Sequence, residues 1–306
     1  MSKVTAIDLG SNSFRVLVYD YIKEQVIHEY NEIVATADGL VHTGIISDDA
    51  TQRVINAITK SSNKLDYDPK ECICVTTAAM RMAKNSDAVL KKILQYTGVE
   101  LKIIDAKEEA RLTFLAINHA LKRESIQSDK FILLDIGGGS IELTIYSSQK
   151  YVTRSFNFGI VTLAQNLDND INAVIKFLDK QKKVIRDHID TLNIVLEDFE
   201  YIATAGTPTT VAAIKHGQNF LNYEKSIING TKVELNDVNT CLDLLRKSSE
   251  EEILTTFGKN DIYLTEVGIV IYKSFFEILN KRTSIVFDDG LKEGVAINYA
   301  NKMLNK

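Results

Sequence analysis

The pattern of hydrophobic and polar positions begins with short apolar runs separated by small residues. Runs rich in β-branched residues at 3–8, 14–19 and 25–33 predict three strands. The glycine and small polar residues at 10–13 predict a tight turn between the first two strands. We therefore expect the chain to open with a three-stranded antiparallel meander.

Beyond the meander, helical periodicity alternates with further strand-like runs. Helices are predicted after Ser47, near Ser86, from Lys107, from residues 168–170, near Val211, over 238–246, over 262–279 and at the C-terminus as far as Met303. Strands are predicted over 73–76, 101–104, 151–157, 202–205 and 284–287. Strands that alternate with helices after a meander indicate an α/β fold.

The opening hairpin occurs a second time. Residues 134–146 match residues 7–19 without a gap, with Asp135 on Asp8, Gly137 on Gly10 and Ser140 on Ser13. One such turn alone is more often an ordinary turn than a site. Two copies in register, a domain apart, indicate a duplicated domain.

Length and polarity suggest where the domains lie. A chain of 306 residues is longer than most single cores. The polar stretch 124–130 predicts a boundary there. We expect a first domain at 1–124, completed by the helix at 291–306, and a second at 125–290.

Composition excludes several classes of protein. Apolar residues at 45% and charged residues at 25% are typical of globular proteins, and no apolar run is long enough to span a bilayer. No secretory signal is visible, and three cysteines cannot form a disulfide framework, which together predict a cytoplasmic protein. A net charge of −5 argues against nucleic-acid binding, so a polyanionic ligand would require a local cluster of Arg and Lys.

The two turns suggest phosphate binding. Glycines at 137, 138 and 139 allow the backbone to approach a phosphate closely, and hydroxyl or amide groups flank them. Arginines near the turns offer paired donors, although a surface ion pair is an alternative role for each. The candidates are Ser11, Asn12, Ser13, Arg15, Arg81, Gly137, Gly138, Gly139 and Ser140.

A third turn, at Gly206 and Thr207, precedes the helix predicted near Val211. The N–H groups at a helix start bind anions, so we include both residues as candidates. A plain proline-containing helix start is an equally good interpretation.

Two adjacent glutamates begin the helix predicted from Lys107. Asp105 as N-cap with Glu108 three residues later resembles a capping box, which gives Glu108 a structural role. Glu109 has no such role and is the candidate base for activating water; the alternative is another carboxylate favoured by the helix dipole. The carboxylates of Asp8, Asp135 and Glu142 suit Mg²⁺, whereas the histidines lack the spacing of a zinc site.

Five segments together resemble the exopolyphosphatase/guanosine pentaphosphate phosphohydrolase (Ppx/GppA) family, within the actin, sugar-kinase and heat-shock ATPase superfamily. In order they read A-I-D-L-G-S-N-S-F-R, T-T-A-A-M-R-x-A-x-N, E-E-A-R-L, L-D-I-G-G-G-S-I-E-L and D-G-L-K-E-G. The resemblance covers essentially the whole chain. It implies two ribonuclease-H-like domains with an active-site cleft between them.

The resemblance also implies an activity, a cofactor and residue roles. The expected reaction is release of terminal orthophosphate from polyphosphate, or of the 5′ γ-phosphate from guanosine pentaphosphate, with Mg²⁺ or alternatively Mn²⁺. Glu109 would be the base, with Asp135 and Glu142 holding metal and water. Asp8 and Arg15 would line the first motif, and Arg81 would contact phosphate.

The chain departs from the family pattern in three respects. The third loop of the family resembles G-T, and here it reads G-T-P-T-T from Gly206. Thr162 stands where members often carry arginine, which removes one expected phosphate contact. Long members carry additional C-terminal helical domains, for which this sequence has no room. We therefore expect a shortened polyphosphate channel and lower processivity.

Two other classes of function remain alternatives to a hydrolase. One is an ATP-dependent small-molecule kinase of the same superfamily. The other is a non-catalytic module that binds guanosine tetraphosphate. The preferred substrate and a possible homodimer are left open.

Overall fold

The computed structural model of the protein describes residues 2–148, 150–258 and 262–304. Its strands are β1 (Lys3–Leu9), β2 (Ser13–Asp20), β3 (Gln25–Ile33), β4 (Ile73–Thr76), β5 (Leu101–Ile103), β6 (Lys130–Ile136), β7 (Ile141–Ser147), β8 (Lys150–Phe156), β9 (Glu200–Thr204), β10 (Thr231–Glu234) and β11 (Thr283–Val286). Its helices are α1 (Leu40–Thr43), α2 (Asp48–Leu65), α3 (Ala78–Met82), α4 (Ser86–Thr97), α5 (Ala106–Arg123), α6 (Ile160–Asn166), α7 (Ile171–Asp190), α8 (Gly206–Lys215), α9 (Lys225–Ile228), α10 (Leu235–Lys247), α11 (Glu250–Thr256), α12 (Ile262–Ile278) and α13 (Leu291–Leu304).

Contacts between residues divide the chain into two compact units. The first gathers the residues up to Asn118, the Gly137–Ser140 turn and the residues from Asp289 onward. The second comprises His119–Ile136 and Ile141–Asp288. The division falls within α5, a few residues before the boundary predicted after residue 124, and the predicted domain bounds remain predictions.

The first unit contains one five-stranded sheet in the order β3-β2-β1-β4-β5. β1, β2 and β3 form the predicted antiparallel meander, whereas β4 and β5 run parallel to β1. In a parallel arrangement the carboxyl ends of neighbouring strands lie at one edge of the sheet, where ligands of α/β proteins bind. Arg81 and Glu109 both follow such strand ends.

The second unit repeats this topology with one additional strand. Its sheet has the order β10-β11-β9-β6-β7-β8, in which β6, β7 and β8 form the meander and β9 and β11 are parallel to β6. The edge strand β10 is antiparallel to β11 and was not predicted from the sequence. Its Thr-Lys-Val-Glu sequence alternates over only four residues, too short a pattern to distinguish from a loop.

The repeated hairpins agree residue by residue. In β1–β2, Asp8 lies opposite Arg15, and in β6–β7, Asp135 lies opposite Glu142. The first turn, residues 10–13, is closed by a 2.9 Å hydrogen bond from Gly10 N to Ser13 O. The second turn, Gly137–Ser140, is closed by the equivalent bond at 3.0 Å. The sequence repeat therefore corresponds to a structural repeat.

Helix ends follow the local sequence signals in most places. Ser47 Oγ accepts a hydrogen bond from Ala50 N and begins α2, and Gly98, with φ of 77°, ends α4. The helix predicted near Val211 is an exception, because α8 already begins at Gly206. Pro208 is tolerated in its first turn, where a backbone N–H has no helical partner to lose.

Each unit has its own hydrophobic core. In the first, α13 packs on the sheet, and Leu291, Val295 and Ala296 join Val4 and Ala6 of β1. In the second, α12 is buried over most of its length. Among the residues described, no helix is long and apolar enough to cross a bilayer.

Candidate functional site

The first turn presents backbone donors. Two of its carbonyl groups accept hydrogen bonds from the segment that follows β3. Ala37 N donates to Ser11 O at 2.8 Å, and Val34 N and Ala35 N donate to Asn12 O, each at 2.9 Å. Within the described part of the chain, the N–H groups of Ser11 and Asn12 donate no hydrogen bond. Consecutive N–H groups in such a turn form a concave site for an anion.

The second turn packs directly on the first. A Cβ atom on Gly139 would lie 2.7 Å from Ala78 Cβ and 2.7 Å from Ser11 Oγ, so the position accepts no larger residue without movement. Ser11 and Ser140 are both only 4% exposed. The structure thus brings together the two predicted phosphate turns and the start of α3, the helix that carries Arg81.

Arg81 and Glu109 form an ion pair. Arg81 Nη1 lies 2.7 Å from Glu109 Oε2 and also donates to Ile104 O at 2.8 Å. The two side chains are 22% and 12% exposed. A guanidinium at this distance fixes the position of the carboxylate, which a group that accepts a proton from water requires.

The neighbouring Glu108 has a different partner, and one expectation about it was wrong. Asp105 Oδ1 accepts a hydrogen bond from Glu108 N at 2.7 Å, so the N-cap is confirmed. The Glu108 carboxylate does not complete a capping box but forms a bidentate pair with Arg111, at 2.7 and 2.9 Å. This pair lowers the pKa of Glu108, because the guanidinium stabilises the charged form.

Charged residues flank both turns on facing strands. Asp8, 6% exposed, lies opposite Arg15, whereas Asp135 lies opposite Glu142, which is 3% exposed and accepts a 2.8 Å hydrogen bond from Ser155 Oγ. Like charges directly opposite one another on a sheet are unfavourable, so a cation would stabilise the second pair.

The two carboxylates suit Mg²⁺ better than they suit a metal ion whose ligands all come from the protein. Among the residues described, no group of three or more His, Cys, Asp or Glu side chains forms a metal site. Mg²⁺ commonly binds one or two carboxylates together with waters and substrate phosphates. The carboxylates of Asp135 and Glu142 fit that mode of binding.

Gly206 and Thr207 belong to the second unit, at the first turn of α8. Thr207 is 9% exposed, and a Cβ on Gly268 of α12 would lie 2.3 Å from its hydroxyl oxygen. The preceding residue, Ala205, has φ of 79° and ψ of −179°, a backbone conformation that is strained for any residue with a Cβ. Their role in phosphate binding remains a prediction.

Thr162, the departure from the family pattern, has a structural position. It is 2% exposed, and its hydroxyl accepts a 2.8 Å hydrogen bond from Gly159 N at the start of α6. This bond stabilises the helix start.

Sequence reasoning missed two parts of the site. Ser155 faces Glu142 on the adjacent strand and could have been found from the register of the meander. The carbonyl of Ile104 that holds Arg81 carries no sequence signal, because any residue supplies it.

The family model of the Ppx/GppA phosphatase family matches residues 18–303. The chain is 26% identical to a bifunctional 3-dehydroquinate synthase/phosphatase of Fusobacterium nucleatum, over 97% of this chain and 46% of that protein. It is 27% identical to a guanosine-5'-triphosphate,3'-diphosphate pyrophosphatase of Aliivibrio fischeri, over 97% of this chain and 59% of that protein. The chain thus spans about half the length of these curated relatives.

A crystal structure of an exopolyphosphatase from Cytophaga hutchinsonii superposes with a TM-score of 0.83 at 21% identity, covering 98% of both chains. A Ppx/GppA family member from Aquifex aeolicus superposes with a TM-score of 0.72 at 23% identity, covering 99% of this chain and 98% of that chain. These matches confirm the predicted α/β fold with two ribonuclease-H-like units; a cleft between them stays a prediction. With the family model matching nearly the entire sequence, the chain belongs to the Ppx/GppA phosphatase family.

Proposed function

We propose that this chain is a phosphohydrolase that releases terminal orthophosphate from a phosphoanhydride chain. The observation that carries the proposal is the packing of both repeated turns at the start of α3, whose Arg81 holds Glu109. Phosphoryl transfer requires mainly positioning and charge stabilisation, together with a group that orients the nucleophile. The first unit contains candidates for each of these tasks.

The two turns bind the phosphate chain. N–H groups of Ser11, Asn12 and Gly138 donate to phosphate oxygens, and the hydroxyls of Ser13 and Ser140 add further donors. Gly137 and Gly139 keep the backbone close to the ligand. Arg15 and Arg81 supply positive charge that the chain as a whole, at −5, does not.

Glu109 is the general base. It accepts a proton from water as the water oxygen forms a bond to the terminal phosphorus. The anhydride bond breaks, its electron pair stays with the bridging oxygen, and the shortened chain leaves as an oxyanion. The proton on Glu109 then returns to solvent.

Mg²⁺, with Mn²⁺ as an alternative, is held by Asp135 and Glu142, with Asp8 as a further predicted ligand. When bound, the ion neutralises charge on the phosphate oxygens. The hydrogen bond that Ser155 donates to Glu142 orients that carboxylate.

The substrate is inorganic polyphosphate, guanosine pentaphosphate, or both. The names of the relatives support both, since one is an exopolyphosphatase and another acts on guanosine-5'-triphosphate,3'-diphosphate. Guanosine tetraphosphate is the corresponding product ligand. A cytoplasmic location, a homodimer and the absence of nucleic-acid or membrane partners remain predictions.

The direct test is orthophosphate release from polyphosphate and guanosine pentaphosphate in parallel, with and without Mg²⁺. We expect release from at least one substrate, and its loss when the ion is chelated. Phosphate transfer from ATP to a small molecule would instead indicate a kinase. Tight binding of guanosine tetraphosphate without release of phosphate from either substrate would indicate a binding module.

A further inference from the structure

The guanidinium of Arg81 is held in place by hydrogen bonds from one of its three nitrogens. Its Nη1 nitrogen carries two hydrogens, and both are used, one by Ile104 O at 2.8 Å and one by Glu109 Oε2 at 2.7 Å. Ile104 is itself anchored, because its N–H donates to Thr76 O at 3.0 Å at the end of β4. The sheet edge therefore holds Arg81, and Arg81 holds Glu109.

The other edge of the guanidinium makes no such contacts. Within residues 2–148, 150–258 and 262–304, Nε and Nη2 of Arg81 donate no hydrogen bond. The side chain is 22% exposed, and neither of these partnerless nitrogens is fully buried, so both donors are accessible. Nε and Nη2 together form the planar fork that binds two oxygens of one phosphate.

We propose that Arg81 couples phosphate binding to the orientation of the base. Its Nη1 positions the Glu109 carboxylate, and its Nε–Nη2 edge binds the phosphate that is attacked. Arg81 is thus a positioning residue for Glu109 as well as a phosphate ligand, whereas the sequence suggested only the second role. The inference depends on the proposed hydrolytic function.

A lysine cannot replace this arrangement. Its ammonium group is a single donor centre, and it cannot bind a carbonyl, a carboxylate and two phosphate oxygens in one plane. Arg81→Lys keeps the positive charge but removes the planar set of donors, so it distinguishes the effect of charge from the effect of geometry. It is therefore the most informative substitution.

The test measures kcat and KM for inorganic tripolyphosphate with Mg²⁺ in R81K, E109Q and the double variant. We expect R81K to lower kcat about 100-fold, since misplacement of a catalytic group by ~1 Å costs about that much, and to raise KM about tenfold. In the E109Q background the same change should lower kcat less than about threefold, because the group that Arg81 positions no longer acts as a base. The rise in KM should persist.

The matched control is Arg111→Lys. It alters the ion pair of Arg111 with Glu108, the residue next to Glu109 on α5. Arg111 and Glu108 are 36% and 39% exposed, and we expect kcat and KM within about twofold of wild type. Calorimetry with tripolyphosphate adds a measurement without turnover: R81K should bind about tenfold more weakly, and R111K as wild type.

Equal kcat losses for R81K in both backgrounds, or a loss confined to KM, would overturn the positioning role. If the turnover of E109Q is too slow to measure, the kcat of R81K alone tests the positioning role, and an unchanged kcat would overturn it. An unchanged KM and unchanged calorimetric affinity would overturn the phosphate contact. A wild-type chain that binds tripolyphosphate but releases no phosphate from any substrate would instead overturn the proposed function, and the positioning role with it.

Discussion

At the scale of single residues, two adjacent glutamates at the start of α5 have different partners. Glu108 forms an exposed pair with Arg111, and Glu109 forms a more buried pair with Arg81. Exposed pairs contribute little to stability, whereas a carboxylate held in a partly desolvated site is suited to catalysis. The proposed base is thus the glutamate in the more buried of the two ion pairs.

Substituting each glutamate by glutamine tests this distinction. We expect E109Q to lower kcat for orthophosphate release by about 10²–10⁴-fold, the usual contribution of a general base, with little change in KM. E108Q, the matched control, should retain kcat within about twofold, because it loses only an exposed ion pair. Near wild-type turnover by E109Q would exclude it as the base.

The sequence was enough to single out Glu109 as the candidate base, but not to identify its partner. Asp105 and Glu108 carry the spacing of a helix cap, which left Glu109 as the unassigned carboxylate. Arg81 is 28 residues away from Glu109, and only the parallel arrangement of β4 and β5 brings the two together. The expected reciprocal cap by Glu108 failed because Arg111, one turn along, is a stronger partner for a carboxylate than a backbone N–H.

At the scale of secondary-structure elements, α13 packs against α5 of the same unit through a glycine. A Cβ on Gly294 would lie 2.0 Å from Leu112 O of α5, so the two helices approach closely at that point. The opposing atom belongs to the backbone and cannot rotate away. Because α5 also carries Glu109, the packing of α13 supports the helix on which the proposed base lies.

Gly294→Ala should therefore destabilise the protein. Overpacking costs about 1–3 kcal/mol, which for a domain of this size lowers Tm by roughly 2–12 °C. Gly206→Ala is the control for stability, since its Cβ would meet nothing within 4 Å. Calorimetric scans of both variants give the comparison, and a Tm for G294A within about 1 °C of wild type would show that the helices adjust without cost.

Most elements were predictable from periodicity, and the exceptions have physical reasons. The meanders, α2, α4 and α5 follow clear apolar patterns and caps. The start of α8 was misplaced because residues 206–210 were read as a turn, although a proline such as Pro208 is accepted within the first turn of a helix. β10 is four residues long and exists through its pairing with β11, which local sequence does not encode.

At the scale of the whole molecule, each unit buries one cysteine. Cys74 of β4 and Cys241 of α10 are 5% and 0% exposed, whereas Cys72 is only partly buried. The hydrogen bond that the Cys74 thiol donates to Cys72, together with burial, raises the pKa of Cys74, and burial raises the pKa of Cys241 to about 12. Both effects disfavour the reactive thiolate.

Alkylation at neutral pH should therefore modify at most Cys72 in the native protein, and all three cysteines after denaturation. Peptide mass spectrometry at increasing denaturant would report the first unit through Cys74 and the second through Cys241. The control is the fully unfolded protein, in which all three should react at similar rates. Rapid native labelling of Cys74 or Cys241 would contradict the described cores.

The duplication of the hairpin was the feature of the whole molecule that the sequence showed most directly. The repeat in residues 7–19 and 134–146 predicted two related sheets, and both sheets have the same strand order around it. The packing of Gly139 on Ser11 and Ala78 could not be predicted, because it joins three segments distant in sequence. That contact places the two turns side by side, as the proposed phosphate site requires.

A crystal structure of E109Q with inorganic tripolyphosphate and Mg²⁺ would examine that site directly. We expect a terminal phosphate within hydrogen-bonding distance of N–H groups in both turns and of the Nε–Nη2 edge of Arg81. Tripolyphosphate bound elsewhere, with neither turn in contact with it, would contradict the proposed site.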